Sequence, residues 1–114
     1  MGRRIKEEKT MADNAKITPA TVIPTMRYND AAATIEWLCE AFGFKKHLVV
    51  PGEDGTIVHA QLVLGNGMVM LGSARASEFD SLQKPPNALG GAVSQSPYII
   101  VEDADKHYAR AVAA

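Results

Sequence analysis

One stretch of this chain occurs twice. Displaced by 73 positions, Thr21–Ala41 lies over Ser94–Ala114, so that Pro24 falls on Pro97, Asp30 on Asp103 and Ala31 on Ala104. In each copy an apolar run enters Asn-Asp-Ala or Glu-Asp-Ala and then a segment of helical period. Self-similarity of this kind marks a duplicated supersecondary unit. The first copy continues through three more strand-like runs, while the second reaches only its helix at Ala114. A fold assembled from paired modules sets its cleft between them, so this chain holds the first module and part of a second.

The elements follow from local chemistry. Thr21–Tyr28 reads as a strand rich in β-formers, and Asp30 is a suitable N-cap for the helix after it. Ala31–Phe42 carries Ile35, Leu38, Cys39 and Phe42 at helical spacing, and Gly43 stands where a left-handed C′ residue ends a helix. Phe44–Val50 is a second strand, Pro51–Gly55 a turn, Thr56–Leu64 a third strand, and Met68–Gly72 a fourth after a Gly-Asn-Gly turn. Ser73–Ser94, with Pro85, Pro86 and several glycines and serines, reads as a linker. Gln95–Glu102 repeats the first strand, and Asp103 caps Ala104–Ala114, whose Tyr108, Ala111 and Val112 line one face. Three consecutive strands after one helix exclude a doubly wound parallel sheet. The expected fold class is α+β: an antiparallel-rich, curved sheet with helices on one face. Residues 17–114 form one domain, with its first module over 21–72, linker over 73–94 and incomplete second module over 95–114. Met1–Lys16 is polar and charged and reads as a disordered tail, with Met11 offering a second start.

Composition removes several function classes. A net charge of −1 leaves no excess of basic residues for nucleic acid. No apolar run approaches the length of a membrane span. A single cysteine, Cys39, forms no internal disulfide, which points to the reducing cytoplasm and to a structural thiol.

The segments at 24–31 (Pro-Thr-Met-Arg-Tyr-Asn-Asp-Ala), 35–44 (Ile-Glu-Trp-Leu-Cys-Glu-Ala-Phe-Gly-Phe), 59–71 and 98–108 (Tyr-Ile-Ile-Val-Glu-Asp-Ala-Asp-Lys-His-Tyr) carry a resemblance. In this order, with the repeat, the chain resembles the vicinal-oxygen-chelate superfamily of glyoxalases, bleomycin-resistance proteins and extradiol dioxygenases. Its nearest flavour is the PhnB-like branch. The resemblance implies a U-shaped sheet of two βαβββ modules around a cleft, with metal ligands on the first and fourth strands of each module. The matching positions here are Ile23, Met70 and Ser96, and the fourth is not in the chain. An isoleucine has no lone pair and a thioether is a soft, weak donor, so the fold and cleft carry over and the metal chemistry does not. No metal and no cofactor are therefore expected.

If the strands alternate, the concave face carries Ile23, Thr25, Arg27, Ile57, His59, Gln61, Val63, Met70, Ser96, Tyr98 and Ile100. A Gly65–Met68 hairpin pairs Val63 with Met70. The expected ligand-binding residues are Arg27 as an anion contact, His59 and Gln61 as polar anchors, Met70, and Tyr98 as a flat ring with a hydroxyl. A hairpin closing Val50 onto Thr56 makes His47 and His59 cross-strand neighbours, a lesser candidate for metal. His107 reads as a solvated helix residue. No Gly-x-Ser-x-Gly elbow or phosphate-cradling loop is present. The leading expectation is metal-independent binding of a small organic molecule. The alternative is a metal-dependent lyase or dioxygenase with ligands partly from a partner chain, and whether any reaction is catalysed stays open. A homodimer is expected, with exchange of Gln95–Ala114 as one route to it.

Overall fold

In the computed structural model, which describes residues 20–114, the chain opens on β1 (Thr25–Tyr28) and turns into α1 (Ala31–Phe42). The tail expected over Met1–Lys16 lies outside these residues. Asp30 caps α1 as its short carboxylate predicts, with Oδ1 accepting from the Ala33 amide at 3.0 Å. Gly43 ends the helix at φ 85°, a left-handed conformation that a Cβ would strain, and its N–H donates to the Cys39 carbonyl at 3.1 Å. β1 is shorter than the expected Thr21–Tyr28. Pro24 has no N–H to give a ladder, although its carbonyl accepts from the Met70 amide at 2.9 Å.

Three strands follow: β2 (Lys45–Pro51), β3 (Ile57–Leu64) and β4 (Gly67–Ser73). The sheet order is β1-β4-β3-β2, with β1 parallel to β4 and the other pairs antiparallel. One face is apolar. Ala60, Leu62, Val69 and Leu71 meet Ala31, Ile35 and Leu38 of α1, with Phe44 and Ile57 completing the core. Burial of this face, at about 25 cal/mol per Å² of apolar surface, is the main force holding α1 to the sheet.

Register corrects two expectations. Met70 lies opposite Gln61, and Val63 opposite Met68, because the turn is centred on Gly65-Asn66 with Gly65 at φ 58°. A two-residue slip preserves the facing of every side chain, so Met70 stays on the face away from α1. The β2–β3 ladder contains two irregularities, one at His47 and one at Val58. His59 therefore pairs with Val50, and His47 has no directly opposed residue, so the two imidazoles are not cross-strand neighbours. The bulge at Val58 also turns Ile57, expected on the concave face, into the core, where Ser73 Oγ accepts from its amide at 2.8 Å.

The repeat reappears as α2 (Ala104–Ala113), capped by Asp103, whose Oδ1 accepts from the Lys106 amide at 3.0 Å. Gln95–Glu102, read as a strand, makes no ladder bonds among the described residues, and only Ile99 of this stretch packs against the core. Strand propensity yields a strand only where a partner edge accepts it. α2 instead docks helix to helix. Arg110 Nε donates to the Glu40 carbonyl at 2.8 Å, in the last turn of α1, and Nη2 adds a longer bond of 3.4 Å to the Cys39 carbonyl that the Gly43 N–H already caps. His107, expected in solvent, is half-buried against Phe42 with ring centroids 5.2 Å apart. His107 and Ala111 thus face inward, while Tyr108 and Val112 are exposed. No helix of the described residues is long and apolar enough to cross a membrane.

Candidate functional site

The face of the sheet opposite α1 is polar at its centre. β1 contributes Thr25 and Arg27, β3 contributes Val58 and His59, and β4 contributes Met70 and the bare backbone of Gly72. The segment after β4, read from sequence as a linker, covers this face. The Ala74 amide donates to the Tyr28 carbonyl at 2.9 Å, and Gln83 Nε2 donates to the Thr25 carbonyl at 2.7 Å. Between these ties lie Phe79 and Asp80. The guanidinium carbon of Arg27 stands 5.3 Å from the centroid of the Phe79 ring, and Nη2 is 3.6 Å from Asp80 Oδ1. Sheet and segment border an open cleft of about 330 Å³, whose apolar wall includes Val58, Met70 and Phe79.

Arg27 fits because of Gly72. A Cβ on Gly72 would meet Arg27 Nη1 at 2.7 Å and the Val58 carbonyl oxygen at 2.9 Å. Gly72→Val should displace the guanidinium and destabilise the fold by about 1–3 kcal/mol, as over-packing does. Thermal unfolding of the variant checks this, and an unchanged midpoint would show that Arg27 can move aside freely.

Asp80 is the anchor of the covering segment. Its Oδ1 accepts from Ser77 Oγ at 2.6 Å and its Oδ2 from the Arg75 amide at 2.9 Å. These two bonds, with the nearby charges of Arg27 and Arg75, hold its carboxyl below the usual range. Nothing in the hydrophobic pattern marks this residue. The one local signal is Ser77-Glu-Phe-Asp80, in which a hydroxyl and a carboxylate three apart close a turn on each other.

His59 and Gln61 form a pair on β3, with Nε2 atoms 3.1 Å apart. The Gln61 side-chain amide thus engages the imidazole through Nε2, donating to it in the tautomer that carries its proton on Nδ1. Burial, and then the charge of Arg27, push the His59 imidazole below its ordinary value. Its folded value is therefore lower than its unfolded one of about 6.5, and the unfolded chain binds this proton first as pH falls. Above that value His59 leaves stability unchanged. Below it stability declines, until the folded imidazole also protonates. The urea midpoint should thus fall on acidification from about pH 7 to about pH 5, and His59→Gln should flatten this decline. An equal slope in the variant would assign the proton elsewhere.

Of the residues expected to bind ligand, Arg27, His59 and Met70 line the cleft. Gln61 lies behind His59, 2 % exposed. Tyr98 is 92 % exposed, on the unpaired stretch before α2, and does not line it. Arg27 is not the open fork that the sequence suggested, because Asp80 and Phe79 already occupy it. Among the described residues, two buried side-chain polar atoms lack partners: Arg27 Nε and Gln61 Oε1.

The residues at the superfamily's metal positions do not fit a hard divalent ion. Ile23 precedes β1, Met70 offers a thioether, and Ser96 lies in an exposed stretch. No three His, Cys, Asp or Glu side chains converge among the described residues, and the lone pair of His59 Nε2 is held by Gln61. Burial pushes the Cys39 thiol up, which disfavours the reactive thiolate.

Comparison with known proteins agrees with the architecture. The chain is 32% identical over 103 residues to the uncharacterized protein Rv0887c of Mycobacterium tuberculosis, covering 90% of this chain and 58% of that one. It is 31% identical over 89 residues to the uncharacterized protein Mb0911c of Mycobacterium bovis, covering 78% of this chain and 58% of the relative. The chain thus spans under two thirds of the length of these relatives. The crystal structure of TioX from Micromonospora sp. ML1 superposes with a TM-score of 0.53 at 27% identity, covering 82% of this chain and 71% of TioX. The profile of the Glyoxalase/Bleomycin resistance protein/Dioxygenase superfamily matches residues 20–114, and this chain belongs to that superfamily.

Proposed function

We propose that this chain is a metal-independent binding domain for a small organic molecule, held in the cleft between the sheet and residues 74–83. The observation that carries this reading is the makeup of the cleft. Its volume of about 330 Å³ and largely apolar wall suit a small ligand, with His59 and the exposed Arg75 at its edge to fix orientation. Superfamily membership supports small-molecule binding in the same direction. The Phe42-Gly43-Phe44 helix exit and the strand-to-Asp-Ala entries favour its PhnB-like branch. A single unpaired thiol suits a cytoplasmic location.

The test uses protein labelled with ¹³C at the methionine methyls and a panel of small aromatic and aliphatic molecules. Binders should shift Met70 and leave Met68 on the same strand nearly unmoved. Metal analysis of the purified chain, followed by Ni²⁺ and Zn²⁺ titration, tests the second half of the reading. One tightly held ion per chain, whose removal abolishes the ligand shifts, would overturn metal independence and restore the lyase or dioxygenase alternative.

A second copy of the chain is the proposed partner. Tyr98, Ile100, Tyr108 and Val112 are large, apolar and exposed, and the stretch before α2 has no ladder partner. Such surfaces recruit another chain, by side-by-side packing or by exchange of residues 95–114. Light scattering at micromolar concentration should show a dimer, and a species of one chain's mass would remove the proposal.

A further inference from the structure

The binding reading leaves the chemistry of the ligand open, and the polar groups around the cleft narrow it. Three charged side chains stand at the cleft or against it, Arg27, Asp80 and Arg75, while Glu78 of the covering segment is exposed and does not line it. One carboxylate against two guanidinium groups leaves a single positive charge uncompensated. The oxygens of Asp80 are already engaged by Ser77, the Arg75 amide and Arg27, so they offer little to an incoming cation. Arg75 is exposed, and its guanidinium makes no hydrogen bond or ion pair within 4.0 Å among the described residues.

The hydrogen-bonding groups agree with the charge. Arg27 Nε–H is buried with no acceptor. His59 is engaged by Gln61 through Nε2. The other unpartnered buried atom, Gln61 Oε1, is an acceptor, but Gln61 stands behind His59 and is not part of the cleft wall. The charged group open to a ligand at the cleft is therefore the guanidinium of Arg75, which only donates, with the His59 imidazole also lining the wall. Val58, Met70 and Phe79 supply an apolar surface beside them.

We propose that the ligand of this cleft is a small organic monocarboxylate with an apolar body, its charge received by Arg75 at the mouth and its body laid against Met70 and Phe79. This rests on the binding reading above and goes beyond it in naming the ligand class. One uncompensated charge matches a monoanion better than a phosphate dianion. A cationic ligand would face two guanidinium groups with no carboxylate among the residues lining the cleft to offset them.

Three probes of one shape separate the possibilities: phenylacetate, phenylacetamide and 2-phenylethylammonium, each titrated into the methionine-labelled full chain. Phenylacetate should bind about ten-fold more tightly than the amide, the ratio given by one charge-assisted hydrogen bond at a partly exposed site. That preference should shrink at high salt, because Arg75 is exposed. Arg75→Gln should erase the preference, and an unaltered thermal midpoint shows that the variant is folded. Equal affinities, tighter binding of the ammonium probe, or an acid preference that survives Arg75→Gln would overturn the monocarboxylate and leave a binding cleft standing. No shift at Met70 with any of the three would remove both proposals together.

Discussion

Leu62→Ala should cost about 2–5 kcal/mol of unfolding free energy, while Met70→Ala should cost less than half of whatever Leu62→Ala does. The two residues lie on adjacent strands, β3 and β4, and differ in the face they present. Leu62 is fully buried against α1 and the rest of the core, so truncation leaves a cavity that the central strand cannot collapse. Met70 faces the cleft and is only partly buried, so its removal enlarges a space already present. Urea denaturation with an unchanged m-value is the measurement. Equal losses would mean that the cleft face is packed as tightly as the core, and that no ligand enters there. Ligand binding should show the reverse order, with Met70→Ala the more damaging.

The elements and their order were legible because each depends on local chemistry. Asp30, Gly43, Gly65-Asn66 and Asp103 act where their side chains or φ angles act, within a few residues of themselves. Facing within β4 was legible too, since a register error of two residues leaves Met70 on its own side. The bulges were not legible. His47 and Val58 have nothing in their side chains that announces an extra residue in a ladder, yet those two irregularities separate the histidines and bury Ile57. Long-range placement was the other blind spot. Residues 73–94 have the composition of a linker, and only tertiary contact with β1 turns Phe79, Asp80 and Gln83 into a wall. The reverse holds for Gln95–Glu102, whose strand-forming residues lack a partner edge among the described residues. His107 similarly leaves solvent only because Phe42 lies beneath it.

Asp80→Ala should release the covering segment and open the cleft while leaving the core intact. The carboxylate closes a turn with Ser77, fixes the Arg75 backbone and faces Arg27. Removing it frees three groups at once and leaves the guanidinium of Arg27 beside Phe79 with no counter-charge. The other ties of the segment, at Ala74 and Gln83, are single hydrogen bonds to β1 carbonyls and do not reproduce this network. Limited proteolysis at Arg75 by trypsin reads the population of the open segment, and cleavage there should accelerate about ten-fold or more. Leu62, Leu71 and their neighbours should retain native amide protection, because the core lies on the other face of the sheet. Acid should have a related effect in the unaltered chain. The Asp80 carboxyl is held below its ordinary value, so its contribution is present above the unfolded carboxylate range and is lost as pH falls through the folded value. Proteolysis with an acid-active protease should therefore show the unaltered segment approaching the variant's susceptibility only in strong acid, below the window in which His59 titrates. If Asp80→Ala cleaves no faster than the unaltered chain, the segment is held by its backbone bonds alone. Arg27 would then be free to turn toward a ligand, and Arg75 would no longer carry the uncompensated charge of the cleft.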